Sequence, residues 1–204
     1  MFPAWEDDWM RHLPLDKEQA RTIRCMNMFP SMPWGECVAR EYYDDGAPWY
    51  EIPFMNGKRH GVERVWYRDG TLSRETPHVD GEIHGVEKEW RKDGTRCETP
   101  HIDGEIHGVE KVWRKDGTLS RETPYVNGRK HGTEREWRED GTLWYETPYV
   151  NGGRHGVVRV RSKDGTLRRE AHCEGGRLNG VERWWHEDGT PWFETTWVYG
   201  VKQT

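Results

Sequence analysis

The chain has 204 residues and a formal net charge of -5, and hydrophobic residues make up only 33% of it. This composition argues against a thick two-layer core, while thirteen tryptophans and eight tyrosines argue against disorder, because disordered segments are poor in aromatic residues. Basic and acidic residues are finely mixed, so the molecule as a whole lacks the electrostatic footprint of a nucleic-acid-binding protein. The four cysteines show no CxxC spacing and the N-terminus has no long apolar run, so we expect a reduced, cytoplasmic protein without signal peptide or membrane span.

Residues 1–33 differ from the rest of the chain and are expected to cap it. Five of the six methionines lie in this segment, and Asp16 followed by Gln19 resembles the capping box of a helix over about residues 16–28. Such a helix would cover the exposed edge of the first hairpin. A methionine-rich surface also suits a partner protein. The candidate contact residues in this segment are Trp5, Trp9, Met26 and Met28.

A repeat of 24 residues fills residues 34–200, and residues 201–204 remain as a short tail. Every spacing is 24 except one of 23 in the third copy, where DGTRCETP lacks a residue that is present in DGTLSRETP. We number the copies one to seven by the glycine of an Asp-Gly pair, which falls at Gly46, Gly70, Gly94, Gly117, Gly141, Gly165 and Gly189.

Each copy carries two turn signals about half a period apart, which predicts one β-hairpin per copy. Asp-Gly and Asn-Gly both favour two-residue hairpin turns, in which both central residues take positive φ. The runs between turns, such as VERVWYR and TLSRETPHV, are rich in β-forming residues and too short for helices. The prediction is an all-β fold, an elongated antiparallel meander of about fourteen strands with a length of about 65 Å.

A two-residue turn at Asp69 and Gly70 would place Arg64 opposite Glu75. The same arithmetic pairs Arg40 with Glu51, Lys111 with Glu122, Arg135 with Glu146, Arg159 with Glu170, and Arg183 with Glu194. It also places Trp49, Trp144 and Trp192 opposite Tyr42, Trp137 and Trp185. The latter three belong to an aromatic ladder that also contains Trp66, Trp90 and Trp113. We expect these stacked rings to supply the burial that a single-layer sheet lacks.

The recurring acids and histidines do not predict chemistry. Each glutamate of the predicted base–acid pairs has its own basic neighbour and lies about 10 Å from the next glutamate. Nothing therefore gives two of these carboxyl groups the separate pKa values that a catalytic acid and base need. The same spacing is too long for a shared zinc ion at the recurring histidines, which we interpret as turn-packing residues followed by a required glycine. These are His60, His84, His107, His131 and His155. We expect no enzymatic activity, metal site, cofactor or small-molecule substrate.

Copy six departs furthest from the repeat. Arg161 replaces the ladder tryptophan, Arg168 is its expected cross-strand partner, and Val158 replaces a glutamate. Seven basic residues stand against three acidic ones between residues 152 and 178. Both a site for carboxylates or phosphates and a decayed repeat remain open interpretations. The candidate partner-binding residues are Arg154, Arg159, Arg161, Lys163, Arg168 and Arg169.

The unit YVNGRKHGTEREWREDGTLWYET resembles the MORN repeat (membrane occupation and recognition nexus). It is closer to the bacterial variant G-x-x-H-G-x-x-x-x-W-x-x-[DN]-G-x-L, which is read at residues 57–72 and 128–143. The resemblance implies an elongated β-meander that binds other macromolecules. Several bacterial members of the variant family are antitoxin or immunity proteins of the YwqK type, which neutralise a toxin by direct contact.

Two functional hypotheses follow. The first is a non-catalytic module that binds another protein, such as an antitoxin, an immunity protein or a subunit of a bacterial toxin or defence assembly. The second is binding of an anionic ligand, a phospholipid headgroup or nucleic acid, through copy six. The net charge of -5 favours the first hypothesis, because it opposes an anionic surface.

Overall fold

A computed structural model describes residues 35–204, and every regular element in this range is a β-strand. The strands are β1 (Glu36–Tyr42), β2 (Pro48–Met55), β3 (Lys58–Arg59), β4 (Gly61–Trp66), β5 (Leu72–Val79), β6 (Glu82–Ile83), β7 (Gly85–Trp90), β8 (Arg96–Ile102), β9 (Glu105–Ile106), β10 (Gly108–Trp113), β11 (Leu119–Val126), β12 (Arg129–Lys130), β13 (Gly132–Trp137), β14 (Leu143–Val150), β15 (Gly153–Arg154), β16 (Gly156–Arg161), β17 (Leu167–Glu174), β18 (Arg177–Trp185), β19 (Pro191–Val198) and β20 (Val201–Lys202). The predicted helix over about residues 16–28 lies outside the described residues, as do Trp5, Trp9, Met26 and Met28.

The chain divides into two units, one ending at Glu82 and one running from Ile83 to Thr204. The first unit holds the hairpins of copies one and two, and the second holds those of copies three to seven. In both units the hairpins are antiparallel. They are β1–β2, β4–β5, β7–β8, β10–β11, β13–β14, β16–β17 and β18–β19. The predicted all-β meander is confirmed for residues 35–204, and Val201 and Lys202 extend it into the segment assigned to a tail.

No helix in residues 35–204 is long and apolar enough to cross a membrane.

The Asn-Gly turns have the predicted geometry. Asn127 and Gly128 take φ values of 48° and 72°. The flanking residues Val126 and Arg129 are paired, so the loop contains two residues. Positive φ at both central positions defines the turn that matches the twist of a hairpin, and asparagine and glycine are the residues that tolerate it.

The Asp-Gly turns are not the predicted two-residue turns. In copy two, the amide of Gly70 donates to the carbonyl of Tyr67 at 2.9 Å, and the amide of Tyr67 donates to the carbonyl of Thr71 at 2.8 Å. Residues 68–70 therefore form a three-residue loop in which Gly70 has a φ of 82°. Asp69 contributes through its side chain instead, because its Oδ1 accepts from the amide of Thr71 at 2.9 Å.

A β-bulge after each of these loops restores the predicted register. In copy two, Trp66 lies opposite Leu72 while Val65 lies opposite Arg74, so Ser73 is the extra residue. The longer loop and the extra residue offset each other. All six predicted base–acid pairs are therefore confirmed.

Copy three shows what its missing residue does. Lys88 lies opposite Glu98 and Trp90 lies opposite Arg96, with no shift of register between the two pairs. The deletion has removed the bulge residue, so the base–acid pairing continues through the shortest copy.

The bulge contradicts the predicted tryptophan pairs. In copy five, Trp137 lies opposite Leu143, and Trp144 is the extra residue of the bulge. Trp49 and Trp192 occupy the same position in copies one and seven. The arithmetic that found the base–acid pairs fails here because the ladder lies on the loop side of the bulge, where the register differs by one residue.

Buried side chains are mainly polar in the second unit. Thr123 is 1% exposed, and Glu134 lies opposite Thr147 with both residues 7% exposed. The Glu134 carboxylate accepts from Thr123 Oγ1 at 3.0 Å and from Tyr149 Oη at 3.4 Å, and it pairs with Lys130. These contacts satisfy a carboxylate whose burial would otherwise be costly. The ladder tryptophan Trp137 is half-buried, so its ring contributes buried surface without belonging to the fully buried residues.

Candidate functional site

The Asp-Gly loops of copies four to seven form a row that we call the Asp-Gly edge (residues 114–118, 138–142, 162–166 and 186–190). Arginines at the start of the loops tie neighbouring copies together. Arg138 donates through Nη2 to the carbonyl of Arg161 at 2.5 Å and through Nη1 to that of Ser162 at 3.2 Å. Arg114 donates in the same way to the carbonyl of Trp137. The loops of copies four and five are therefore each fixed against the next copy by charge-assisted hydrogen bonds.

A cleft of about 760 Å³ opens at the Asp-Gly edge of copies four to six. The Arg138 guanidinium lies 5.3 Å from the centre of the Trp144 ring, and Lys163 Nζ lies 3.6 Å from Asp140 Oδ2. The cleft thus combines an aromatic surface with charges of both signs. Its lining consists of Arg114, Trp137, Arg138, Glu139, Asp140, Trp144 and Lys163.

The residue at the bulge position differs among the copies, and copy one carries Trp49 there. This position holds Ser73 and Ser120 in copies two and four. In copies five, six and seven it holds Trp144, Arg168 and Trp192, which we call the bulge row. Trp144 is 40% exposed and Trp192 is 64% exposed. Since a bulge re-aims the side chain that it carries, these three consecutive copies place two indole rings and a guanidinium along one edge.

The tryptophans of the bulge row lie against other rings. The Trp144 ring centre is 4.7 Å from that of Tyr145 in an edge-on arrangement. The Trp192 ring centre is 6.4 Å from that of Trp184 and 5.8 Å from that of His186. These neighbours limit the rotamers of the exposed rings, which lowers the entropy lost when a partner binds.

The six basic candidates of copy six are not gathered into one cluster. Arg154 lies beside an Asn-Gly turn, at the opposite end of the hairpin from the Asp-Gly edge. Four of the others have acidic partners in their own or a neighbouring copy. These ion pairs are Arg159 with Glu170 at 3.0 Å, Arg161 with Glu146 at 3.4 Å, Lys163 with Asp140 at 3.6 Å, and Arg169 with Glu182 at 2.7 Å. Most of the local basic excess is therefore neutralised within the protein.

Arg168 is different. Arg161 lies opposite Leu167, so the predicted pair of facing like charges at Arg161 and Arg168 is wrong, because Arg168 is the extra residue of the bulge. Its Nη1 is buried and has no hydrogen-bond partner among the described residues. A buried N–H group without an acceptor costs free energy, so Arg168 differs from the ion-paired arginines in having unsatisfied hydrogen-bonding capacity.

Two of the recurring histidines contact the next turn along the chain. His84 Nδ1 lies 3.2 Å from Asp103 Oδ1, and His107 Nδ1 lies 3.2 Å from Asn127 Oδ1. The glycine that follows each histidine has a positive φ, 114° at Gly108, which glycine adopts readily and residues with a Cβ do not. Within residues 35–204 no group of three histidine, cysteine or acidic side chains is placed to hold a metal ion.

The protein therefore consists of repeated β-hairpins. The backbone repeats from copy to copy, whereas the side chains at the bulge position of the Asp-Gly edge vary. The MORN repeat variant family matches residues 59–80, 106–127, 130–151 and 178–199, which contain the hairpins of copies two, four, five and seven. These four segments are therefore MORN repeats of the variant type, and repeats of this kind are generally binding modules. A comparison with curated proteins gives no match.

Proposed function

We propose that this protein is a non-catalytic module that binds another protein at the Asp-Gly edge of copies five to seven. The bulge row carries this proposal. Tryptophan and arginine are the residues most enriched at the energetic centres of protein interfaces, and Trp144, Arg168 and Trp192 all lie at the same position of the repeat.

The regular copies indicate that the hairpin does not need these large side chains. At the same position in copy two, Ser73 donates through Oγ to the carbonyl of Val65 at 3.0 Å and completes the bulge with a small side chain. Large rings that are not needed for the hairpin and remain exposed are better accounted for by an interface than by packing.

Direct neutralisation of a toxin, or service as a subunit of a toxin or defence assembly, is the particular role that the resemblance to bacterial variants supports. Binding of an anionic lipid or nucleic acid receives less support, because acidic side chains already pair with four of the six basic candidates in copy six. A carboxylate on a partner protein can bind the guanidinium of Arg168 as well as a phosphate can.

The test is affinity capture of the partner from the native host, followed by measurement of its Kd with variants. Trp144→Ser and Arg168→Ser introduce the residue of the regular copies, so the melting temperature should stay close to that of the unmodified protein. Each should weaken partner binding at least tenfold. Trp49→Ser is the matched control, since Trp49 is a bulge tryptophan of similar exposure, 41%, in the first unit.

Equal affinity of the partner for all three variants would place the contact elsewhere in the chain. Binding of anionic vesicles or RNA, with loss on Arg168→Ser, would favour the anionic ligand instead.

A further inference from the structure

The residue at the start of each Asp-Gly loop varies from copy to copy. We call it the loop-start residue, and it occupies positions 43, 67, 91, 114, 138, 162 and 186. In the three copies whose bulge holds a tryptophan, the loop-start residue lies against that ring. The distances are 6.1 Å between the ring centres of Tyr43 and Trp49, 5.3 Å between the Arg138 guanidinium and the ring centre of Trp144, and 5.8 Å between the ring centres of His186 and Trp192.

In copies one and five the loop-start residue also reaches the next copy. Tyr43 Oη donates to the carbonyl of Trp66 at 2.8 Å, and Arg138 Nη2 donates to the carbonyl of Arg161 at 2.5 Å. Both acceptors lie at the ladder position, 23 residues after the donor. Tyr43 and Arg138 therefore each connect an exposed ring of their own copy with the backbone of the following copy.

Arg138 is held at two points. Its Nη1 donates to the carbonyl of Ser162 at 3.2 Å, so two carbonyls of copy six bind one planar group. Two hydrogen bonds in the plane of a guanidinium fix its orientation, and this group faces the Trp144 ring. The ring lies edge-on to Tyr145 of the same strand. The orientation of Trp144 thus depends on a side chain whose own position is set by copy six.

Copies four and six show that the link between copies and the contact with a ring are separate features. In copy four, Arg114 donates to the carbonyl of Trp137, but the bulge holds Ser120 and therefore presents no ring. In copy six, the loop-start residue Ser162 lies with its Oγ 2.5 Å from Asp164 Oδ1, within its own loop. Copy five combines the link and the ring contact.

We propose that Arg138 is a positioning residue, through which the Asp-Gly loop of copy six sets the orientation of the Trp144 ring at the partner-binding edge. Without the guanidinium the ring changes rotamer more freely, so a partner must order it at a cost in conformational entropy. Copy six thereby contributes to binding through the backbone carbonyls of its loop as well as through Arg168. This inference rests on the proposed function and adds the way in which two neighbouring copies act together.

The test is Arg138→Lys in the full chain, which keeps the positive charge and removes the planar group. NMR relaxation of the indole N–H groups measures the motion of each tryptophan ring, and the Trp144 signal is identified by its loss in Trp144→Ser. We expect the order parameter of the Trp144 indole to fall from about 0.85 to below about 0.6. The indole of Trp192 in copy seven should keep its order parameter.

Arg114→Lys is the matched control. Arg114 makes the same bond to the next copy, but it lies in a copy without a bulge ring. Arg114→Lys should lower the melting temperature about as much as Arg138→Lys does, and it should leave the order parameter of Trp144 unchanged. With the captured partner, Arg138→Lys should weaken binding about fivefold and Arg114→Lys less than about twofold.

A second pair of variants tests the part of copy six. Asp164 Oδ1 accepts from the amide of Thr166 at 3.0 Å and so holds the loop that carries the two carbonyls. Asp164→Ala should lower the order parameter of Trp144, although the two residues belong to different copies. Asp188→Ala removes the equivalent bond in copy seven and should have no such effect.

Three results would overturn the inference. The first is an unchanged order parameter of Trp144 in Arg138→Lys. The second is an equal fall in Arg114→Lys, which would mean that lysine loosens the whole edge. The third is a Trp144 ring that does not respond to Asp164→Ala, because copy six would then not set its orientation.

Partner binding separates this inference from the proposed function. If the ring loosens as expected while Trp144→Ser binds the partner as well as the unmodified protein does, the positioning by Arg138 stands and the proposed interface is wrong. If the ring stays rigid in Arg138→Lys while Trp144→Ser still weakens partner binding, the positioning is wrong and the proposed function stands.

Discussion

Copies five and six have the same backbone but different buried pairs. Glu134 lies opposite Thr147 in copy five, and Val158 lies opposite Ala171 at the same place in copy six. Both hairpins have the same three-residue loop and the same bulge. The comparison teaches that turn chemistry sets the hairpin, while the buried pair can be polar or apolar provided that both members change together.

The physical reason lies in what each pair requires. The carboxylate of Glu134 is satisfied by hydroxyls and by Lys130. Val158 is 5% exposed and Ala171 is 0% exposed, and neither side chain needs a polar partner. A buried charge with its partners and an apolar pair of similar volume can be close in stability, whereas a charge without partners is not.

The largest expected effect on stability comes from placing the charged residue of the copy-five pair opposite the apolar residue of the copy-six pair. Val158→Glu would bury a carboxylate opposite Ala171, and we expect it to destabilise the protein by about 3–5 kcal/mol. Val150→Glu is the control, because Val150 is 43% exposed, and it should cost less than about 1 kcal/mol. Urea unfolding measures both, and equal costs would show that the buried face tolerates a lone charge.

A smaller loss of stability is expected at a glycine that both copies share, which has a positive φ and lies against a proline. A Cβ at Gly132 would lie 2.9 Å from Pro124 Cγ at a φ of 109°, and Gly156 has the same environment, with a φ of 111° and a Cβ distance of 3.1 Å to Pro148. We expect Gly132→Ala and Gly156→Ala each to cost about 3 kcal/mol. Gly141→Ala, where no atom lies within 4 Å, should cost only about 1–2 kcal/mol by thermal unfolding. A similar cost at all three glycines would contradict the role of the proline contact.

The base–acid pairs should contribute less to the free energy of unfolding than the buried pair of copy six or the two glycines beside proline. Arg135 Nε lies 3.7 Å from Glu146 Oε1. Arg135→Glu and Glu146→Arg should each destabilise modestly, and the double reversal should recover about 0.2–1 kcal/mol through their coupling. If the two changes in the free energy of unfolding are strictly additive, the side chains of Arg135 and Glu146 do not interact.

The smallest difference between the two copies is in the titration of their loops. Ser162 Oγ and the Thr166 amide lower the pKa of Asp164 to about 2, from an ordinary value of 3.8. Thr142 lowers the pKa of Asp140 as well, but copy five has arginine in place of the serine. Because the folded pKa is depressed, the stabilisation by Asp164 is present above pH 4 and lost as the pH falls through about 2. Carboxyl NMR of Ser162→Ala should show the Asp164 pKa rising toward that of Asp140, and an unchanged value would exclude the serine as the cause.

The sequence singles out copy six because its pattern breaks there, yet it does not reveal the bulge position, where copies five and seven also differ from copies two and four. A two-residue turn predicts that Trp144 and Trp192 lie opposite the ladder residues Trp137 and Trp185, whereas both are the extra residues of bulges. The signal that could have revealed the bulge was copy three, where one residue is missing beside the loop and the hairpin still forms. A residue that can be deleted without changing the register is not part of the paired ladder.

Local chemistry decided the hairpins, the Asn-Gly turns and the base–acid row, because each depends on a few residues close in sequence. Arg64 could be matched with Glu75 from the position of one dipeptide. Which side chains are buried depends on neighbouring copies, so a glutamate such as Glu134 could be found in the interior only once Thr123 and Tyr149 of the adjacent strands were placed around it.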